Sequence, residues 1–142
     1  MYIKIFKTLP DESKSIRTAV FVNEQGFINE FDDIDCNATH IVLYNESDIA
    51  VATCRVFKGE EYNTYILGRI AVLKEFRNNG YGKNIITEAE KHVKNIGGSQ
   101  IILHSQLRIK DFYKKLGYTE FGETDYDEDC PHIWMRKKLV QK

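Results

Sequence analysis

The sequence lacks the features that mark a membrane-spanning, secreted or nucleic-acid-binding protein. Its longest apolar runs have about four residues, such as 70–73, whereas a helix that spans a bilayer needs about 20. The alternating segment 1–7 has neither the apolar core nor the small-residue cleavage site of a signal peptide, which predicts a cytoplasmic protein. A net charge of −1 argues against a nucleic-acid partner, since such a partner usually requires a strongly basic face.

Cysteine is also scarce, and the overall composition is that of one globular domain. The three cysteines are an odd number at wide spacing, which fits neither a disulfide framework nor a zinc site; we expect packing or surface roles for them and no metal (Cys36, Cys54, Cys130). The chain has 142 residues, of which 42% are hydrophobic and 29% charged, as in soluble globular proteins. This length predicts a single domain over residues 1–142, with room for a real core.

The most informative stretch is a glycine turn between a predicted strand and a predicted helix. The apolar, β-branched run at 66–73 is typical of a buried strand, and a helical apolar face begins after the turn (Ile85, Ile86, Ala89, Val93, Ile96). The turn contains Gly80 and Gly82, with Arg77 and Lys83 beside them. The unpaired N–H groups and positive dipole end of the helix can bind a phosphate or diphosphate there. An ordinary strand-to-helix turn, in which the glycines only relieve strain, is the alternative.

Two common nucleotide motifs are not met at this turn. A dinucleotide fingerprint needs a third glycine at the position of Ile85, and a nucleotide-phosphate loop needs Gly-Lys-Ser/Thr after four spacer residues.

The remaining patterns predict an alternation of strands and helices. Before the glycine turn they predict a strand at 2–7, a helix from 11 to about 22, a loop at 29–37 and a hairpin of strands 39–44 and 49–57. After the helix that follows the turn they predict a strand at 99–105, a short amphipathic helix closed by Gly117, and a tail at 119–138 comprising an acidic loop and a final strand. Thr8 is suited to cap the first helix. A right-handed crossover would place strand 99–105 parallel to the strand that ends at 73.

Two motifs in this chain resemble signatures of the GNAT superfamily of N-acetyltransferases. Arg-x-x-Gly-x-Gly at 77–82, after Ile-Ala-Val, resembles its acetyl-CoA-binding motif, and Phe-Tyr-Lys-Lys-Leu-Gly-Tyr at 112–118 resembles its second signature. The family usually has Asn at the position of Gln106 and Ala at that of Ile109. Two further segments, Arg-x-x-Val-Phe-Val-x-Glu-Gln at 17–25 and Pro-His-x-x-Met at 131–135, are similar to the ElaA-like branch.

The resemblance implies an α/β fold and an acetyl-CoA-dependent reaction. The fold would be a mixed, mostly antiparallel sheet with a parallel pair at its centre and helices on both faces. The activity would be direct transfer of an acetyl group from acetyl-CoA to a primary amine, without a metal. The residues that match the coenzyme-binding positions are Ile70, Ala71, Val72, Arg77, Asn78, Asn79, Gly80, Tyr81, Gly82, Lys83, Gln106 and Tyr113.

The chemistry of amide formation suggests roles for particular residues. An alkylamine with a pKa near 10 is mostly protonated at neutral pH, so a base must take a proton; Glu24 is the first candidate, followed by His104 and His132. By resemblance, the backbone N–H of Val72 stabilises the oxygen that gains negative charge, and Tyr113 protonates the departing thiolate. Structural roles are the alternatives: a helix-end salt bridge for Glu24, core packing for Tyr113 and ordinary hydrogen bonding for either histidine.

The acceptor and the assembly stay open at this point. Six acids between 120 and 129 form either an ordinary solvated loop or a rim that attracts a cationic amine. The acceptor is a small-molecule or peptide amine, and a homodimer is compatible with the sequence. A non-catalytic acyl-CoA-binding or sensing module on the same fold is the rival function, and a nucleotide-phosphate binder is a more distant one.

Overall fold

A seven-stranded mixed sheet forms the centre of the protein. The computed structural model describes residues 1–139. The sheet order is β1-β2-β3-β4-β5-β7-β6, and the β4–β5 pair is parallel while the other neighbours are antiparallel. The strands are β1 Tyr2–Phe6, β2 Thr39–Tyr44, β3 Ala50–Lys58, β4 Thr64–Val72, β5 Gln100–Gln106, β6 Thr119–Asp127 and β7 Cys130–Lys138. The predicted mixed sheet with a central parallel pair is therefore confirmed.

Helices cover both faces of this sheet. They are α1 Asp11–Arg17, which continues as a π-helical segment Thr18–Glu24, then α2 Tyr81–Asn95 and α3 Lys110–Lys115, with short 3-10 turns at Asp33–Cys36, Lys74–Phe76 and Leu107–Ile109. Adjacent residues of β3 show the two faces: Thr53 bonds to Ser13 of α1, whereas Cys54 belongs to the core packed by α2. Within residues 1–139, no helix combines the length and apolarity needed to cross a membrane.

The main core lies between α2 and the sheet. Ile85, Ile86, Ala89 and Val93 are all at most 1% exposed, as their helical spacing predicts. Complete burial of a large aliphatic side chain contributes about 1.5–3 kcal/mol to folding, so this face is the main anchor of α2. The fifth residue predicted on that face, Ile96, is 47% exposed, because α2 ends at Asn95 and Ile96 lies beyond the last helical turn.

Two local predictions are wrong, one about the cap of the first helix and one about the acidic loop. Thr8 does not cap α1: the residue before the helix is Pro10, in an extended conformation, and no side chain bonds to the first turn. The acidic segment after Thr119 is a strand and not a loop, since β6 pairs along β7 as the outer strand of the sheet. Charged side chains are tolerated there because an edge strand exposes most of its side chains to water and is protected by charge from pairing with other chains.

The predicted loop at 29–37 contains a buried ion network. Arg17, which is 1% exposed, donates its Nε to Glu30 at 2.8 Å and its Nη1 to Asp35 at 2.7 Å. Arg55 of β3 donates to Asp35 at 2.9 Å and to Asp32 at 2.6 Å. The loop is thereby fixed to α1 and to the sheet, and it forms one wall of the site described below.

Candidate active site

The parallel strands β4 and β5 separate after their first three residues. Their pairing joins 64–66 to 100–102 and stops there, while β4 continues to Val72 and β5 to Gln106. A cavity of about 630 Å³ lies at this opening. It is lined from one face of the sheet by Tyr81 and Tyr113 and from the other by Phe21 and His132. The opening therefore connects the two faces of the sheet, and two molecules could meet in it from opposite sides.

A β-bulge helps to open this gap. Thr53 pairs with Ala71 and Arg55 with Gly68, so two residues of β4, Arg69 and Ile70, lie opposite a single residue of β3. Arg69 adopts a left-handed backbone conformation with φ +49°, which costs about 1–3 kcal/mol for a residue with a side chain. Its guanidinium donates to the carbonyl of Glu30 at 3.1 Å, and this bond holds the bulge against the loop at 29–37.

The bulge leaves a backbone N–H of β4 directed into the gap. Leu73 donates its N–H to the carbonyl of Val51 in β3 at 2.9 Å. Since backbone N–H directions alternate along a strand, the N–H of Val72 points away from β3, toward the side where β5 has separated. Val72 lines the cavity, so this donor is available to a bound carbonyl oxygen.

The N-terminus of α2 lies at the same cavity. Gly80 precedes the helix with φ +80°, a conformation that glycine adopts without strain, and its carbonyl accepts the N–H of Asn84 at 3.0 Å. The N–H groups of Tyr81, Gly82 and Lys83 therefore have no carbonyl of the helix to bond, and no side chain caps them. This geometry supplies several N–H donors and a positive dipole end for an anion.

Gly82 packs closely against α3. A Cβ on Gly82 would lie 3.3 Å from the ring of Phe112, and both residues line the cavity. A larger residue at position 82 would therefore require the partly exposed Phe112 ring to move slightly.

Arg77 connects the two sides of the opening. Its Nη1 and Nη2 donate to the carboxylate of Glu24 at 2.6 and 2.7 Å, and its Nε donates to the carbonyl of Val72 at 3.1 Å. The Arg77 guanidinium lowers the pKa of the Glu24 carboxyl through these hydrogen bonds, and it does so against a smaller opposing effect of burial. In this arrangement both oxygens of Glu24 are engaged.

Tyr113 extends from α3 to the middle of the cavity. It is 6% exposed, and its ring packs edge-on against Phe112 and Tyr118. No hydrogen bond links its hydroxyl to any group in residues 1–139, although that hydroxyl is a strong donor. Burial raises the pKa of this phenol. Tyr113 therefore presents a protonated hydroxyl to whatever occupies the cavity.

The far end of the cavity is built by three separate parts of the chain. Gln106 at the end of β5 donates to Gln25 at 2.7 Å, which joins β5 to the end of the π-helical segment. Glu128, in the turn between β6 and β7, accepts the backbone N–H groups of Ile28 and Asn29, both at 2.9 Å. These bonds close a wall that includes Phe27 and carries several carboxylates (Glu24, Glu30, Asp127, Glu128).

Two histidines lie side by side at this end. His132 of β7 is 6% exposed, and its Nδ1 lies 2.8 Å from the carbonyl of Cys130. The ring of His104, from β5, lies 4.6 Å from that of His132 and stacks on Trp134 at 4.5 Å. The Nε2 of His104 lies 2.6 Å from Asp125. Both histidines line the cavity.

The structure brings nearly all of the predicted site residues together. Every predicted coenzyme-binding residue except Asn79 lines the cavity, as does Glu24. Asn79 instead donates to the carbonyls of Phe76 and Arg77 and so shapes the turn. The cysteines are free, with Cys54 buried and Cys36 exposed.

Several lining residues that come from loops and from the bulge were not predicted from the sequence: Phe27, Asn29, Glu30, Arg69 and Arg108. None belongs to a short motif. For Arg69 the one available signal was its position within a strand that ends at the glycine turn.

Comparisons with known proteins identify the family of this chain. The family model described as an acetyltransferase (GNAT) domain matches residues 10–139. The chain is 36% identical over 126 residues to the uncharacterized N-acetyltransferase YjcF of Bacillus subtilis, covering 86% of this chain and 87% of that protein.

ElaA of Escherichia coli, the branch indicated by the motifs, is also among the relatives. It is 24% identical over 131 residues, covering 89% of this chain and 85% of ElaA. Its crystal structure superposes with a TM-score of 0.81 over 96% of this chain and 99% of that one. An aminoglycoside 6'-N-acetyltransferase complexed with coenzyme A has the same fold, with a TM-score of 0.74 at 18% identity over 100% of this chain and 99% of that one.

Proposed function

The chain belongs to the GNAT acetyltransferase family and resembles its ElaA branch, and we propose that it transfers an acetyl group from acetyl-CoA to a primary amine. The observation that carries this proposal is the cavity that crosses the sheet where β4 and β5 separate. An anion-binding helix N-terminus lies on one side of it and a wall rich in carboxylates on the other. The two substrates would bind from opposite faces and react directly, with no covalent enzyme intermediate.

The residues at the glycine turn fit the coenzyme. The N–H groups of Tyr81, Gly82 and Lys83 would hold its diphosphate, and the side chains of Arg77 and Lys83 would add positive charge. The N–H of Val72 would bind the acyl carbonyl oxygen and stabilise the negative charge that develops on it. Acetyl-CoA supplies the acetyl group in activated form, as a thioester.

Tyr113 is suited to protonate the thiolate that departs from the acetyl group. Its hydroxyl is buried at the cavity and makes no hydrogen bond with the described part of the chain. Because burial raises the pKa of the phenol, Tyr113 reaches the reaction carrying its proton. General-acid assistance of this kind contributes about 10²- to 10⁴-fold to rate.

The acceptor side supports an amine that is positively charged in solution. The carboxylates of Asp127 and Glu128 line this part of the cavity, together with the rings of Phe21 and Phe27. The nearby Glu30 carboxylate is already paired with Arg17 and Arg69. Carboxylates and aromatic faces both attract an ammonium group. The aminoglycoside 6'-N-acetyltransferase that shares this fold is named for one class of small-molecule amine acceptor.

An acetylation assay with four acceptors tests the proposal. The purified protein is incubated with acetyl-CoA and, separately, with n-butylamine, spermidine, glucosamine or glycinamide, and products are detected by mass. We expect a product whose mass exceeds that of at least one amine by one acetyl group in place of a hydrogen, together with release of CoA. Calorimetry with CoA, and thermal shift with ATP as the competing ligand, measure the coenzyme site separately. Binding of CoA without acetylation of any amine would instead indicate a non-catalytic acyl-CoA-binding module.

A further inference from the structure

His132 combines a fixed tautomer with access to the acceptor end of the cavity. A backbone carbonyl can only accept a hydrogen bond, so the Nδ1 that lies 2.8 Å from the carbonyl of Cys130 carries a hydrogen. In a neutral imidazole the other nitrogen, Nε2, then bears the lone pair. No group in residues 1–139 bonds to this Nε2, yet it is not among the side-chain atoms sealed inside the protein without a partner. Since His132 lines the cavity, the lone pair is accessible from it.

We propose that Nε2 of His132 takes the proton that the attacking amine must lose. This inference rests on the proposed acetyltransferase function and names the base for it. His132 would contact the acceptor nitrogen directly or through one water, while Tyr113 acts on the coenzyme sulfur.

Side chains on three neighbouring strands, β5, β6 and β7, hold the His132 ring in place. On β5, the His104 ring lies 4.6 Å away and is itself fixed by Asp125 of β6 at 2.6 Å and by the Trp134 ring at 4.5 Å. A second carboxylate on β6, that of Asp127, also acts on the pKa of His132. A base whose ring orientation and tautomer are both set in advance needs no rearrangement when the amine arrives.

The surroundings of His132 also keep it unprotonated. Burial lowers the pKa of the imidazole below its ordinary value, and its hydrogen bond to the Cys130 carbonyl and the charges of Asp127 and Asp125 oppose this only in part. The charge of a protonated His104 acts in the same direction as burial. At neutral pH the Nε2 lone pair is therefore free to accept a proton.

Glu24, the first candidate from the sequence, is less suited to this step. Each of its oxygens accepts a hydrogen bond from Arg77, at 2.6 and 2.7 Å, and the pKa of its carboxyl is lowered as a result. A proton placed on Glu24 would break this ion pair. Glu24 is then a positioning residue for Arg77.

The proton and bond changes balance with groups already present. The ammonium nitrogen first gives one proton to His132 and then forms a bond to the acyl carbon. As the carbon–sulfur bond breaks, Tyr113 gives its proton to the sulfur, and the nitrogen loses its second proton to solvent. Tyr113 then regains a proton from solvent and His132 returns its own, so the net reaction is alkylammonium plus acetyl-CoA to acetylamide plus CoA and one proton.

The variant His132→Asn removes the proposed base but can keep the hydrogen bond that positions it. Its side-chain amide NH₂ occupies roughly the place of Nδ1 and can still donate to the Cys130 carbonyl, while the Nε2 lone pair is lost. We expect kcat with the best of the four amines to fall about 100-fold or more, with KM for acetyl-CoA little changed. The acidic limb of the pH profile of kcat/KM that reports the enzyme's base should disappear in this variant and persist in Glu24→Gln.

His92→Asn is the matched control, because His92 is also partly buried with a pKa lowered by burial, but lies outside the cavity. It should keep the wild-type rate and pH profile. If His132→Asn also kept them while the wild type acetylated the amine, this inference would be overturned and the proposed function would stand. Failure of the wild type to acetylate any of the four amines would instead overturn the proposed function, and this inference with it.

A spectroscopic measurement tests the base without turnover. In ¹⁵N-labelled protein at pH 7.5, long-range ¹H–¹⁵N correlations should show that Nδ1 of His132 is protonated and Nε2 is not. The signals of His132 are assigned by their loss in His132→Asn. A charged imidazolium, or a neutral ring with its hydrogen on Nε2, would contradict the proposal.

Discussion

Arg77 and Glu24 form a two-bond ion pair across the mouth of the cavity, and the same guanidinium donates to the carbonyl of Val72. The glutamate ends the π-helical segment on the side of the cavity that we propose for the acceptor, and the arginine belongs to the glycine turn that we propose for the coenzyme. The pair therefore links the two sides of the cavity through one guanidinium, and we expect the position of this guanidinium to decide how well a diphosphate is held.

Replacing Glu24 by Gln should weaken coenzyme binding modestly without removing a base. Arg77 loses its charged anchor, and an exposed ion pair contributes about 0.2–1 kcal/mol, so KM for acetyl-CoA should rise by at most about fivefold. The control is Glu75→Gln, which removes an exposed charge near Arg77 that makes no hydrogen bond to it. A 100-fold loss of kcat in Glu24→Gln, absent from Glu75→Gln, would return Glu24 to the role of base.

Replacing Tyr113 by Phe should reduce turnover but not stability. The hydroxyl has no partner in residues 1–139, so its removal costs no hydrogen bond and the ring still packs against Phe112 and Tyr118. We expect kcat to fall about 100-fold with little change in the melting temperature.

Tyr118→Phe is the matched control for this change. The Tyr118 hydroxyl donates to Glu90 at 2.9 Å and lies outside the cavity. Its loss should lower the free energy of unfolding by about 1 kcal/mol and leave kcat unchanged. Equal kcat values for Tyr113→Phe and the wild type would rule out Tyr113 as the acid.

Replacing Gly80 by Ala should weaken CoA binding more than backbone strain alone explains. Gly80 and Gly97 both have positive φ, +80° and +91°, and a Cβ on either would meet nothing within 4 Å. Alanine at each position should therefore cost a similar stability, about 1 kcal/mol. Only Gly80 lies at the helix N-terminus that faces the cavity, so we expect the Kd for CoA, measured by calorimetry, to rise about tenfold in Gly80→Ala alone. A similar Kd in both variants would place the diphosphate elsewhere.

Stability should fall in acid because of Asp35. Burial by itself would raise the pKa of this carboxyl, but hydrogen bonds from Arg17 and Arg55 outweigh that effect and lower it from 3.8 to about 2. The folded state thus favours the carboxylate, which contributes about 2 kcal/mol above pH 4; this contribution is lost as the pH falls through about 2.

Denaturant unfolding of Asp35→Asn tests this dependence. At pH 7 the variant should lose about 3 kcal/mol or more, since two buried guanidiniums lose a charged partner. Its difference from the wild type should shrink between pH 4 and pH 2. Asp33→Asn removes an exposed carboxylate of the same turn and should behave as the wild type does. A difference that stays constant over this range would show that Asp35 does not titrate as proposed.

The sequence by itself determined the elements whose pattern is local. The buried face of α2, the glycine turn before it and the hairpin of β2 and β3 follow from side-chain periodicity and from the backbone freedom of glycine. The crossover rule was enough to make β5 parallel to β4. The helix face, the turn and the hairpin depend on residues that are neighbours in the chain, and the parallel pair follows from the handedness of one strand–helix–strand unit, so a single sequence contains the information.

Only the tertiary structure decided the side of the cavity that we propose for the acceptor. Glu24 meets Arg77 across 53 positions, and Gln106 meets Gln25 across 81. The carboxylates of the loop at 29–37 are buried because Arg17 and Arg55 come to them from elsewhere in the fold. Whether a charged side chain is a solvated group, an ion-pair partner or a free base depends on which distant groups folding brings within about 3 Å of it. Local patterns carry no information about those distances.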